Sequence, residues 1–231
     1  MSKRAEIKAR RRRQKRQRFL IRASIVAAFV VVFALIIWPN LENDKEIIIP
    51  ESRTFPLEND TSLGKSDAPV VIQNFSDFQC FHCGNFHRDT LPQIINNYIV
   101  TGQVRFEFHQ FPFLGSESYT AANASLCAAE QESFWEYSDL LFANQAGIDT
   151  ITLSSTRLRK FAETLDLELD QFSKCLDEGL KNSRAMDEMA GGTASGINST
   201  PSFLINGQLL VGAKPFTDFQ FAIESALLTS D

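Results

Sequence analysis

The hydrophobic period of the chain changes several times, and each change marks an element. Residues 19–38 form a 20-residue apolar run interrupted by one charge, Arg22. Residues 39–66 show no sustained period and carry Pro39, Pro50 and Pro56 among Asp, Glu, Asn and Ser, the pattern of a tether. Val70-Val71-Ile72-Gln73-Asn74-Phe75 is β-branched and mostly apolar, as in a buried strand. From Cys80 to about Val100 the apolar positions take helical spacing (Phe86, Leu91, Ile94, Ile95, Tyr98, Ile99), with a kink predicted at Pro92 and an end at Gly102. Val104-Arg105-Phe106-Glu107-Phe108 alternates with period two and predicts a second strand. Residues 116–195 hold no strand pattern and read as four or five helices, including 119–131, 133–144, 155–165 and 169–178. Two short apolar runs, 202–205 and 209–211, flank Asn206-Gly207, a strong hairpin signal. A last helix is expected over about 215–228. This order predicts an α/β domain with one mixed sheet and a block of inserted helices.

Charge changes the reading of the first forty residues. The net charge of −5 hides a split: residues 1–22 hold 11 of the 23 Lys and Arg and a single acid, Glu6, for a net +10. A basic tail alone could suggest nucleic acid. Beside an apolar run it reads as a topology signal, and no nucleic-acid role is expected. A 20-residue helix spans roughly 30 Å, the thickness of the bilayer hydrocarbon. Arg22 lies close enough to the basic end to snorkel, Trp38 stands at the opposite interface, and no small-x-small cleavage site follows. The expectation is a cytoplasmic tail at 1–18, an uncleaved anchor at 19–38, a tether at 39–66 and an exported domain at 67–231. A tether of this length reaches on the order of 30 Å and would keep the domain near the membrane. Ile47-Ile48-Ile49 has the composition of a docking segment without a visible target.

The candidate chemistry is Cys80-Phe81-His82-Cys83, where the first strand hands over to the first helix. A helix N-terminus offers unpaired N–H groups and the positive end of the dipole, both of which favour a thiolate. Cys80 is therefore the candidate nucleophile and Cys83 the resolving thiol. The His82 imidazole is expected close to the Cys80 sulfur, where it would further stabilise the thiolate. A zinc site using Cys80, Cys83 and His87 is the competing reading, but Cys127 and Cys175 are 48 residues apart and form no second knuckle, so no metal is expected. In an exported domain the even cysteine count suggests that Cys127 and Cys175 pair, with buried free thiols as the alternative.

Three longer stretches add to the Cys pair: Phe75-Ser76-Asp77-Phe78-Gln79-Cys80-Phe81-His82-Cys83, Ala121 to Gln131 followed by Phe134-Trp135, and Gly196-Ile197-Asn198-Ser199-Thr200-Pro201 running into the hairpin. With these, the chain resembles the DsbA-like branch of the thioredoxin superfamily, in its bacterial membrane-anchored form, over about residues 64–228. The resemblance implies a thioredoxin fold with a helical subdomain inserted at about 115–195. It implies a cis Thr200-Pro201 turn facing the redox pair and binding substrate backbone, and a second disulfide, Cys127–Cys175, in the inserted block. It implies no cofactor. Its implied partners are reduced or unfolded exported proteins and a membrane redox partner, either a DsbB-like or a vitamin K epoxide reductase-like quinone oxidase. Two positions depart from the family pattern: Asn74 stands where many relatives have a buried carboxylate, and Phe81 where many have Pro.

The functional expectation is a monomeric, membrane-anchored thiol-disulfide oxidoreductase that makes disulfides outside the cytoplasm. A reductase on the same site and a non-enzymatic peptide-binding module are the alternatives. An isomerase is disfavoured because residues 39–66 are too few for a dimerisation domain.

Overall fold

The computed structural model describes residues 46–146 and 152–229, together with Arg22, Ser24, Ala28 and residues 30–33, which are helical and exposed. The expected basic tail at 1–18 and most of the expected anchor at 19–38 lie outside the described residues. Among the described residues no helix is long and apolar enough to cross a membrane. Met1–Glu46 and Ile47–Asp231 are separate compact units.

A mixed sheet forms the centre of the second unit. Its strands, among the described residues, are β1 (Ser62–Leu63), β2 (Val70–Ser76), β3 (Val104–Gln110), β4 (Ser202–Ile205) and β5 (Gln208–Val211), in the order β1-β3-β2-β4-β5. β2 and β3 run parallel, with Val70 opposite Val104 and Ser76 opposite Gln110. The other neighbours pair antiparallel. Parallel neighbours need a crossover, and α1, residues 81–99, supplies it. The period-two pattern of β3 is realised directly: Val104, Phe106, Phe108 and Gln110 are buried, while Arg105, Glu107 and His109 are half-exposed.

Around Pro92, where a kink is expected, α1 contains two π turns, Phe86–Thr90 and Ile95–Ile99, on either side of Leu91–Ile94. Pro92 has no N–H to donate to the preceding turn, and a wider turn accommodates its ring. The helical block predicted at about 115–195 comprises α2 (Ser116–Ala129), α3 (Phe134–Ala143), α4 (Ser155–Thr164), α5 (Leu169–Glu178) and α6 (Asn182–Ala194), inserted between β3 and β4. α7 (Phe216–Leu227) closes the domain. Asn206 and Gly207 both take positive φ, 46° and 84°, as the predicted tight hairpin requires. The Asn206 side chain then clamps the start of β2, accepting from Val71 N and donating to Pro69 O.

The core is largely aromatic. Phe86 lies against Phe106, Phe203 and Phe219, joining α1 to the sheet and to α7. Phe108 lies against Phe78, Phe134 and Trp135, joining the sheet to the inserted block. Each such side chain contributes about 1.5–3 kcal/mol when fully buried. These contacts hold the end of β2, the start of α1 and the inserted helices in one rigid arrangement.

The segment expected to be a tether at 39–66 is held by the domain from Ile47 onward. Ile48 N donates to Asn144 Oδ1, and Asn144 Nδ2 donates back to Ile48 O. Arg53 pairs with Asp139 and donates to the His87 carbonyl, and Phe55 lies on Trp135. Ser62 and Leu63 add an edge strand against β3. The docking composition of Ile47-Ile48-Ile49 thus meets its target at Asn144, whereas the single residues Arg53 and Phe55 show no period and leave no pattern in the sequence.

Candidate active site

β2 ends at Ser76, and Asp77, Phe78 and Gln79 turn the chain into Cys80, the N-cap of α1. Cys80 has extended backbone, φ −76° and ψ 115°, so its side chain lies at the open end of the helix. Both Cys80 and Cys83 are free thiols; Cys80 retains 8% of its surface and Cys83 none. The turn before β4 faces them. Its Thr200-Pro201 peptide is cis, and the Cys80 thiol donates to the Thr200 carbonyl oxygen at 3.4 Å. Residues 120 apart in sequence thus share one site.

The two thiols are electrostatically unlike. The Cys80 thiol is lowered to about 6, first by a hydrogen bond from the Cys83 thiol. Burial opposes the shift, while a hydrogen bond from Thr200 and the backbone N–H groups of Cys83 and His82 reinforce it. Among the described residues the buried Thr200 hydroxyl has no other partner, which leaves it available as a donor to the thiolate. Cys83 is pushed well up, first by burial and then by its bond to Cys80 and the negative charge there. The Ser76 hydroxyl and the Asp77 N–H are the polar groups that temper this rise, and neither carries charge.

The expected His82 contribution comes from a different atom. Its imidazole is exposed and stands edge-on to the Phe81 ring at 5.8 Å, and among the described residues it makes no hydrogen bond to Cys80. The first turn of the helix points the His82 side chain outward while aiming its N–H at the sulfur. His87, which shares α1 with the Cys pair, is buried against Asp139, Nε2 to Oδ1 2.5 Å. Burial lowers its pKa, with Asp139 opposing and Arg53 assisting. It serves the packing of α1 on α3.

The stretch that leads into Cys80 supports the site through side-chain hydrogen bonds whose partners spacing and periodicity do not show. Asp77 Oδ1 accepts from Gln79 N at 2.8 Å, and Oδ2 accepts from Phe113 N and Leu114 N at 3.0 and 3.2 Å. Burial raises the Asp77 pKa and these amides pull it back. Gln79 Oε1 accepts from Ser118 N and Oγ, both at 2.9 Å. Asp77 and Gln79 therefore fasten the inserted block to the redox turn. Asn74 is buried on β2, where its Oδ1 accepts from Ser76 Oγ at 3.0 Å. Cys127 and Cys175 form a disulfide joining α2 to α5.

The sequence profile of the family described as Thioredoxin matches residues 57–225. The chain belongs to the thioredoxin family. Within that family its likeness is to DsbA-like thiol-disulfide oxidoreductases. The probable disulfide bond formation protein D of Bacillus anthracis is 26% identical over 205 residues, which are 87% of this chain and 92% of that protein. The crystal structure of oxidised BdbD from Bacillus subtilis superposes with a TM-score of 0.69 at 26% identity, covering 77% of this chain and 97% of that one. The Na(+)/H(+) antiporter NhaA 3 of Salinispora tropica is 30% identical over 175 residues, which are 75% of this chain. This chain spans only 26% of that antiporter's length.

The asymmetric pair of this thioredoxin-family domain gives a direct pH prediction. Alkylation of reduced Cys80 is expected to rise with a midpoint near pH 6, against about 8.5 for an unperturbed thiol. Because the folded pKa lies below the unfolded one, ionisation of Cys80 stabilises the reduced fold. That contribution is complete only above the unfolded pKa and is lost as pH falls to about 6. The disulfide form has no such thiol. Denaturant midpoints of reduced and oxidised protein, compared at about pH 5.5 and about pH 8, should show the reduced form gaining on the oxidised form at the higher pH. A difference independent of pH would contradict the assignment.

Proposed function

We propose that the chain is a membrane-anchored, extracytoplasmic protein thiol-disulfide oxidoreductase that introduces disulfide bonds into exported proteins through Cys80 and Cys83. The observation that carries this reading is the asymmetry of the pair: a Cys80 thiol lowered to about 6 at a helix N-cap, beside a fully buried Cys83 that is pushed well up. The names of the similar Bacillus proteins support the direction, and the +10 tail beside a 20-residue apolar run supports the anchor.

The steps follow from this asymmetry. In the oxidised enzyme a substrate thiolate attacks Cys80 Sγ. The Cys80–Cys83 bond breaks, and Cys83 leaves with the electron pair and takes up a proton. A second substrate thiolate attacks the substrate sulfur of the mixed disulfide and expels Cys80 as a thiolate. A low thiol pKa makes Cys80 a good leaving group. The substrate loses two electrons and gains a disulfide, and the enzyme becomes a dithiol. A membrane quinone oxidase, DsbB-like or vitamin K epoxide reductase-like, accepts those electrons and restores the disulfide. The Thr200-Pro201 turn presents backbone to the substrate chain beside Cys80.

Redox equilibrium with glutathione tests the direction. A stabilised thiolate stabilises the reduced form, so the potential is expected nearer about −120 mV, the DsbA value, than about −270 mV, the thioredoxin value. A result near the second would make the chain a reductase. Failure to oxidise a reduced, unfolded protein at all would leave a peptide-binding module.

A further inference from the structure

A side chain far from the Cys motif in sequence holds the redox turn. Gln145 lies just beyond Asn144, the C-cap of α3. Its Nε2 donates to the carbonyl oxygens of Phe78 and Cys80, at 2.9 and 3.2 Å. The Cys80 oxygen also accepts the first helical bond of α1, from Gly84 N at 3.1 Å. Two acceptors fix the carboxamide's orientation, because the flipped amide would set oxygen against oxygen. Among the described residues the remaining atom, Oε1, is buried with no donor. It lies so close over Gly84 that a Cβ there would overlap it. Leaving a buried acceptor unpaired is unfavourable for stability, so the arrangement calls for another explanation. The backbone that carries Gln145 is itself held: Asn144 N donates to Leu140 O, and the Asn144 side chain binds both Ile48 N and Ile48 O.

We infer that Gln145 is a positioning residue for the redox pair, holding the 78–80 turn so that Cys80 presents its sulfur to the N–H groups of the first turn of α1. The inference rests on the reading of Cys80 as the nucleophile and extends it to a residue 65 positions away. The physical route has two parts. The N–H groups of His82 and Cys83 meet the sulfur only while Cys80 keeps its N-cap conformation, and the two Gln145 bonds restrain the carbonyls at both ends of that turn. The donor at the Cys80 oxygen also draws negative charge away from the adjacent thiolate. Gly84 is the complementary residue, since only the absence of a Cβ admits the carboxamide.

The test uses the full chain carrying Gln145→Ala, Gln145→Glu, Gly84→Ala or the double change Gly84→Ala/Gln145→Ala. Cys80 ionisation is followed by thiolate absorbance, and the redox equilibrium is measured against glutathione. Loss of one hydrogen-bonding group predicts roughly a two- to tenfold lower thiolate fraction below the midpoint for Gln145→Ala. The glutathione equilibrium constant should move toward the less oxidising side by a similar factor. Gln145→Glu should shift both further, because it sets a negative charge beside the thiolate. Gly84→Ala should reproduce Gln145→Ala, and the double change should add nothing to either. If Gly84→Ala does not fold, the two Gln145 variants carry the test. Unchanged titration and unchanged equilibrium in both Gln145 variants would overturn the positioning role. Failure of the unaltered protein to oxidise a reduced substrate would instead overturn the proposed function, while the titration would still report on the grip of Gln145.

Discussion

Replacing Cys80 with Ser is expected to reduce disulfide transfer to background. Replacing Cys83 with Ser is expected to abolish transfer too, because the Cys80–Cys83 disulfide cannot form, but to leave a Cys80 thiolate that attacks an added disulfide, expels one of its sulfurs as a thiol and stays in the mixed disulfide. The two outcomes differ because the two sulfurs occupy different places. Cys80 lies at the helix N-cap with part of its surface open and a pKa near 6, so it is mostly thiolate at neutral pH and a substrate sulfur can reach it. Cys83 is wholly buried, and burial pushes its pKa well up. An incoming substrate therefore meets Cys80, and Cys83 is the internal thiol beside the bond that forms. A serine hydroxyl has a far higher pKa than a thiol and no redox chemistry, so substitution at Cys80 removes the reaction. At Cys83 it removes the disulfide that a substrate thiolate attacks and the internal thiol that could expel a partner from Cys80, while Cys80 itself keeps its nucleophilic sulfur. Turnover on reduced, unfolded protein checks the loss of transfer, and non-reducing mass analysis after adding a disulfide-bonded protein to the reduced variants checks the trapping. Covalent complexes through Cys83 in the Cys80→Ser protein would reverse the assignment.

Removing the second disulfide should cost stability and leave the redox chemistry intact. Cys127 and Cys175 are 48 residues apart and join α2 to α5, with both sulfurs buried. The chain-entropy argument assigns about 4 kcal/mol to closing a loop of this size, within a measured range of roughly 0–5 kcal/mol. Ala at both positions is preferable to a single change, which would leave one thiol able to exchange with Cys80. The contact between the two helices persists without the bridge, because Asn123 Nδ2 donates to Leu176 O and Asn123 Oδ1 accepts from Lys181 N. The expected result is a lower denaturant midpoint in the oxidised protein, with an unaltered Cys80 titration and glutathione equilibrium. A shift in either redox quantity would mean that the bridge shapes the active turn as well as the inserted block.

Some of this protein was legible residue by residue. The alternation of Val104, Phe106 and Phe108 fixes both a strand and its buried face, because a strand places successive side chains on opposite sides. Asn206-Gly207 specifies its turn through backbone conformations that few other pairs adopt without strain. Cys80-x-x-Cys83 at a strand-to-helix junction specifies the chemistry, because the helix end and the spacing are local properties. β1 and α6 left little trace. Ser62 and Leu63 are too few to show a period, and α6 buries only Ala185 and Gly192, so it carries no apolar stripe.

The supports of the site were decided by the tertiary structure. The grip of Asp77 on Phe113 and Leu114, that of Gln79 on Ser118 and that of Gln145 on Phe78 and Cys80 join segments 36 to 67 residues apart. Ile48 and Arg53 reach their partners on and just beyond α3 across still longer separations. A polar side chain in a loop has no periodic signature, and its meaning depends on which backbone group the fold brings within about 3 Å. His82 shows the same limit at short range: the sequence placed it beside Cys80, and the helix geometry turned its imidazole outward while its N–H faced the sulfur. Local periodicity and motif spacing determined the elements and the candidate reacting atoms. The packing of distant segments decided what holds those atoms in place, because hydrogen-bond partners are set by three-dimensional proximity and chain order does not encode it.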